Sequence, residues 1–131
     1  SFPTRRSSDL IATTRSWLRQ CDHLLLNEVE ATALTGTTTV TAAIDALAAL
    51  MAVDAHIVVK CGPAGAAGLY RGQRVDLPAP NVTPVDTIGA GDVFDAAYLA
   101  EIAAGQSFAE AIAAGIKTAS RAVATLPREY L

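Results

Sequence analysis

Asp86-Thr87-Ile88-Gly89-Ala90-Gly91-Asp92-Val93-Phe94-Asp95 joins a proline-spaced segment to an apolar, alanine-rich run. Two glycines flank Ala90 and an acid follows at once, which puts the glycines where extended chain turns into a helix. Such a helix start suits an anion. Its first N–H groups have no partner within the helix, the macrodipole adds partial positive charge, and glycine lets a phosphate reach the bare backbone. Asp92 then stands in the first turn, where a carboxylate within hydrogen-bond reach of a hydroxyl can accept its proton. Phosphoryl transfer asks for little beyond positioning, charge stabilisation and such a base. The same residues also describe an ordinary helix with an acidic cap. Asp95, three positions after Asp92 on nearly the same helical face, reads as a solvated or capping charge, with a role near the site as the alternative.

Outward from this loop, the pattern alternates between strand and helix. Pro78, Pro80 and Pro84 mark an extended linker. Before it, 74–77 reads as a short strand paired with 65–71 across a turn at Gly72, and His56-Ile57-Val58-Val59-Lys60 is the clearest strand, β-branched and bounded by Gly62-Pro63. Residues 40–53 read as a helix entered through Thr37-Thr38-Thr39, and 28–34 as a helix closed by Gly36. Leu24-Leu25-Leu26, ended by Asn27, has the continuous apolar character of a buried parallel strand, and 11–20 reads as the tail of a helix. Beyond the loop, a helix over 91–104 closes at Gly105, and Ser107 opens another that runs to Thr125. Strands alternating with helices predict an α/β fold with a parallel sheet.

The 131 residues suffice for one modest domain, and 51% hydrophobic with 18% charged residues excludes disorder. A net charge of −3 gives no reason to expect nucleic acid as a partner. No apolar run has the length of a membrane span, because the alanine-rich helices carry Asp45, Glu101 or Glu110. Cys21 and Cys61 are too few for a metal knuckle or a disulfide framework, so a reduced, cytoplasmic setting is expected. Residues 1–10 have no apolar signal core. Read as codons, Ser1 to Leu10 resembles the translation of a common sequencing adapter, which makes 1–10 a non-native segment and 11–131 the native part, a fragment truncated on its N-terminal side.

Three further places have chemistry to offer. Asn27 and Glu30 follow the first strand three residues apart, so both can point toward a metal–phosphate group, although a strand end with a charged first turn looks the same. Lys60-Cys61-Gly62-Pro63-Ala64-Gly65 puts a glycine turn at a strand's C-terminal end, where open α/β sheets bind ligands. It is not a Walker loop, since no Gly-Lys-Ser/Thr follows. Lys60 can neutralise a phosphate or simply be solvated. His23 and His56 lack acids or cysteines at ligand spacing and read as structural, and Cys61 reads as packing.

In order, Asn27-x-x-Glu30, Lys60-x-Gly62-x-x-Gly65 and Asp86-Thr87-x-Gly89-Ala90-Gly91-Asp92-x-Phe94 resemble the C-terminal half of the PfkB, or ribokinase-like, carbohydrate kinases. The resemblance covers 11–131. It implies an α/β/α sandwich and transfer of the γ-phosphoryl of ATP to a sugar hydroxyl, with Asp92 as base and Gly89, Ala90, Gly91 and the Asp92 N–H as the anion hole. It also implies that Asn27, Lys60, Gly62, Gly65 and Thr87 bind ATP, and that Glu30 and Asn27 serve Mg2+ through water. Asp86 would belong to a loop that holds K+ in some members, and the helix from Phe108 onward would line the adenine side. A homodimer of the full-length parent is a further implication.

Two positions depart from the family pattern. Ala97 and Tyr98 stand where a glycine is frequent, with a packing consequence expected, and Ile116 falls where many ribokinases carry an asparagine, which removes a specific adenine contact from the expectation. The family's sugar-binding half is absent, so a nucleoside or vitamin kinase of the same fold remains an alternative, as does a non-catalytic nucleotide-binding module. The fragment alone is expected to be inactive. Lys60 before the glycine turn resembles the keto-sugar and sugar-acid kinases.

Overall fold

The computed structural model describes residues 13–125; the adapter-like segment 1–10 lies outside them. A helical stretch over 13–20 (α1) leads to β1 (His23–Asn27), α2 (Glu28–Thr35), α3 (Val40–Leu50) and β2 (His56–Lys60). A single 3-10 turn, Gly62–Ala64, precedes β3 (Ala66–Tyr70) and β4 (Gln73–Leu77). After an irregular stretch come α4 (Ala90–Ala103) and α5 (Phe108–Ala124).

The four strands form one sheet in the order β1-β2-β3-β4. β1 and β2 are parallel with Asn27 opposite Lys60, while β2–β3 and β3–β4 are antiparallel. The sheet is therefore mixed, and the expectation of a parallel sheet is corrected. The reason lies in the connections. α2 and α3 carry the chain back from the end of β1 to the start of β2, whereas one 3-10 turn can only reverse direction after β2. Gly65 makes that reversal tight: its φ is 100°, and a Cβ there would stand 1.9 Å from the Leu77 carbonyl oxygen.

The period of two along the strands sorts side chains into two cores. Ile57 and Val59, with Leu24, Leu26, Ala67 and Leu69, face Leu18, Ala31, Ala43, Ile44 and Leu47 from α1, α2 and α3. Val58, with Leu25, Ala66, Tyr70 and Val75, faces Phe94 and Tyr98 of α4 and Phe108, Ala111, Ile112 and Ile116 of α5. Helices thus cover both faces of the sheet, giving the α/β/α sandwich. Each fully buried Ile or Val side chain contributes about 1.5–3 kcal/mol.

Helix ends fall where their caps stand. The side chains of Asn27, Thr39 and Ser107 accept from the N–H of Glu30, Ala42 and Glu110, and Gly36 closes α2 at φ 68°. α3 ends at Leu50, before the expected Val53, with Met51 extended as its C-cap. Helix α5 approaches α4 closely because Gly115 has no side chain: a Cβ there would stand 2.9 Å from the Phe94 ring. Tyr98, where the family pattern has a glycine nearby, is fully buried in the same core.

Among the described residues no single helix is long and apolar enough to cross a membrane. α2 and α3 pass that test only as a pair bent by 58°, and Ala31, Ala43, Ile44 and Leu47 on them are core residues.

Candidate active site

The C-terminal ends of β1 and β2 and the start of α4 meet on one edge of the sandwich. Register puts Asn27 beside Lys60. Lys60 in turn reaches α4: its Nζ donates to Asp95 Oδ1 at 2.8 Å and lies 3.4 Å from where a Cβ of Gly91 would stand. The lysine side chain is only 14% exposed, so its ammonium has a fixed place over the first turn of α4. The Phe94 ring lies under it, 6.0 Å from Nζ to the centroid. A cation at a helix N-terminus is disfavoured by the macrodipole. Asp95 offsets that, and its reading as a solvated or capping charge is corrected to the partner of Lys60.

At the start of α4 the backbone takes a defined turn. Gly89 is the N-cap of α4 in the left-handed region, φ 78° and ψ 6°, where no side chain supplies a cap. The Ala90 N–H reaches the Thr87 carbonyl at 3.3 Å, and the Gly89 carbonyl accepts from Val93. Gly91 and Asp92 are exposed in the first turn of α4. The Asp92 carboxylate is thus available at the mouth of an open groove of about 500 Å³ between α4 and α5, floored by Ala96, Ala97, Ala100 and Ala114.

The loop leading to Gly89 is tied at two points. Asp86 Oδ1 accepts from the Ile88 N–H at 2.9 Å, which shapes the turn, and the Val85 and Asp86 N–H groups both donate to the Val123 carbonyl near the end of α5. Asp86 thus shapes the turn through its side chain, while Thr87 contributes its carbonyl and is exposed.

Asn27 and Glu30 form a reciprocal capping box. Asn27 Oδ1 accepts from the Glu30 N–H at 2.7 Å and Glu30 Oε1 from the Asn27 N–H at 2.9 Å. One oxygen of Glu30 stays outside this box. Among the described residues no group of three or more His, Cys, Asp or Glu converges as a metal cage. Mg2+ on a nucleotide does not need one, since it keeps several waters and takes one or two carboxylates beside the phosphates. The donor set fits that use.

Gly62 and Gly65 bracket the 3-10 turn beyond Lys60. Gly62 is exposed at φ 53°, while Gly65 is buried and its N–H donates to the Gly62 carbonyl. Gly62 can face a phosphate; Gly65 serves the turn and the Leu77 backbone. Cys61 packs against the first core, where burial raises its thiol pKa.

On another face of α5, an open apolar cleft of about 520 Å³ runs between Leu77, Pro78, Pro80 and Val82 and the helix residues Ile116, Lys117, Ser120 and Arg121. The linker side of this cleft was not legible as a site, because prolines predict only extended chain.

The opposite edge of the sandwich holds an aromatic stack. His23 and His56, register partners, stack at 4.2 Å, and His56 stacks on Tyr70 at 3.7 Å. The Tyr98 hydroxyl bonds His23 Nδ1 at 3.0 Å, and Phe108 packs beside His56 and Tyr70. Burial lowers the pKa of both histidines, with each other's proximity adding to the effect on His56, and burial raises that of Tyr98. The structural reading of both histidines holds.

The model of the pfkB family carbohydrate kinases matches residues 2–126. The chain belongs to that family. Within the pfkB family, a fructokinase of Rhizobium leguminosarum bv. trifolii is 46% identical over 46 residues, which are 35% of this chain and 14% of that protein. A probable sugar kinase from Rhizobium etli CFN 42 superposes with a TM-score of 0.81 over 95% of this chain and 38% of its own, at 24% identity. The ribokinase of Arabidopsis thaliana complexed with ribose and ATP superposes with a TM-score of 0.76 over 85% of this chain and 37% of its own, at 30% identity. The chain thus spans well under half the length of these pfkB relatives. The fold is ribokinase-like, as the sequence resemblance implied.

Proposed function

We propose that the chain is the nucleotide-side part of an ATP-dependent sugar kinase, in which Asp92 removes the proton of the acceptor hydroxyl. The observation that carries this reading is the convergence at the start of α4: Gly89 in the left-handed region, Gly91 open to approach, Lys60 Nζ over the first turn, and Asp92 exposed beside them. The pfkB membership and the likeness to a ribokinase complexed with ribose and ATP support it.

In this reading the N–H groups of Gly89, Gly91 and Asp92 face charge on the transferring phosphoryl group, and Ala90, whose N–H is held by the Thr87 carbonyl, completes the turn of the anion hole. Lys60 and the Gly62 turn lie along the nucleotide phosphates, with Gly65 holding that turn. The Asn27–Glu30 box and Thr87 complete the polar rim, and Glu30 and Asn27 are the residues that would hold Mg2+ through water. Mg2+, when bound, neutralises charge on the nucleotide's β- and γ-oxygens. The Asp86 loop would take K+. The cleft between Leu77–Val82 and α5 receives the adenine; Ile116 there offers apolar contact in place of an amide. Asp92 takes the acceptor proton as the hydroxyl oxygen attacks.

The test is the Asp92→Asn variant of the full-length kinase that carries this segment. Equilibrium ATP binding is expected to persist while sugar phosphorylation falls about 10²–10⁴-fold; wild-type turnover would remove Asp92 from the role of base. The 131-residue chain alone is expected to show no sugar phosphorylation, since it lacks the sugar-binding half, and robust turnover by it would refute that. A cytoplasmic location and a homodimer of the parent belong to the same reading.

A further inference from the structure

We propose that Asp95 is a positioning residue that holds the Lys60 ammonium over the first turn of α4 and so tunes how strongly the site grips a nucleotide phosphate. This rests on the reading of the α4 start as the phosphate site. Lys60 leaves the end of β2 and meets Asp95 at 2.8 Å, one helical turn beyond the first residues of α4, and its Nζ stands against Gly91. An ammonium has three N–H donors. Asp95 takes one, which leaves two for phosphate oxygens arriving at Gly91. A free lysine would lose rotamer freedom on binding; this one, with 14% of its side chain exposed and lying over Phe94, is ordered beforehand.

The same carboxylate also carries a cost. Its negative charge, 33% exposed, faces the place where phosphate lands and repels it. Orientation and repulsion therefore act with opposite signs, and two substitutions separate them. Asp95→Asn keeps an oxygen to accept from Lys60 and removes the charge. Asp95→Ala removes both. A merely structural Asp95 would shift both variants in one direction.

The experiment is equilibrium ATP binding by the full-length kinase carrying this segment, in five forms: wild type, Asp95→Asn, Asp95→Ala, Lys60→Met, and Asp95→Ala combined with Lys60→Met. Asp95→Asn is expected to tighten ATP binding and Asp95→Ala to weaken it about two- to fivefold, the scale of a partly exposed ion pair. In the Lys60→Met background Asp95→Ala is expected to weaken nothing. Equal weakening by Asp95→Ala with and without Lys60, or shifts of the same sign for Asn and Ala, would overturn the inference while leaving the phosphate site in place. No ATP binding by the wild type would overturn the phosphate site and the inference together. If Asp95→Ala does not fold, Asp95→Asn decides alone: tighter binding supports the role, and unchanged or weaker binding ends it.

Discussion

The two edges of the sheet are built on different principles. At the start of β1 and β2, rings do the work: His23, His56 and Tyr70 stack, Tyr98 is buried against them, and Phe108 closes the side. At the far ends of the same strands the groups that meet solvent are polar and small. Asn27, Gly62, Gly91 and Asp92 are exposed and the backbone is held by caps, a 3-10 turn and one ion pair. One edge fixes the layers together, and the other keeps backbone N–H groups and charges accessible at known positions. The lesson is that the accessible groups of this edge are placed by element ends rather than by a ring cluster of their own.

That contrast can be broken from the exposed edge first. After the catalytic loss expected of Asp92→Asn, the largest effect is predicted for Gly65→Ala, where the new methyl meets the Leu77 carbonyl at 1.9 Å and the backbone stays at a φ of 100°. A loss of about 2–5 kcal/mol is expected in urea unfolding, because neither backbone can yield cheaply. A near-neutral result would mean that the turn is looser than its geometry implies.

Next comes Asn27→Ala, which removes the side-chain half of the capping box. It should cost about 1 kcal/mol, with Asn27→Asp restoring most of it. If ATP binding drops far more than stability, Asn27 faces the ligand as well as its own helix.

The smallest effect belongs to the ring edge and is read through pH. Both histidines have folded-state pKa values below their ordinary value of 6.5, first through burial. The folded state therefore binds protons less readily than the unfolded chain. The stacked arrangement is at full strength above 6.5 and loses stability as pH falls below it. Asp22 and Asp54 moderate the shift, while Arg71 adds to it at His56. Urea midpoints at pH 7.5 and 5.5 should differ for the wild type and differ less for His56→Phe, which keeps the ring. Equal pH slopes would remove the stack as a source of acid sensitivity.

Much of this architecture was legible because it is local. Thr39, Ser107 and Gly36 announced helix ends, the β-branched run announced β2, and the two glycines around Ala90 announced the start of α4. What could not be read depends on partners distant in the chain. Lys60 and Asp95 are separated by 35 positions, His23 and Tyr98 by 75, and no spacing rule joins them. The parallel-sheet expectation failed for a related reason, since periodicity shows that a strand exists and the length of its connection shows which way it runs. Gly115 gave no signal inside a helical pattern, although the contact with Phe94 requires it. Gly89 as the start of α4 was readable because helix-end chemistry is written in consecutive residues.

The Val123 carbonyl near the end of α5 receives two donors from the loop, Val85 at 2.6 Å and Asp86 at 3.1 Å. These two amide protons are therefore shielded from solvent by one acceptor, and a single fraying event at the end of α5 would release both. In hydrogen exchange they should behave as a matched pair, with rates that follow the last turn of α5 more closely than those of their neighbours in the loop.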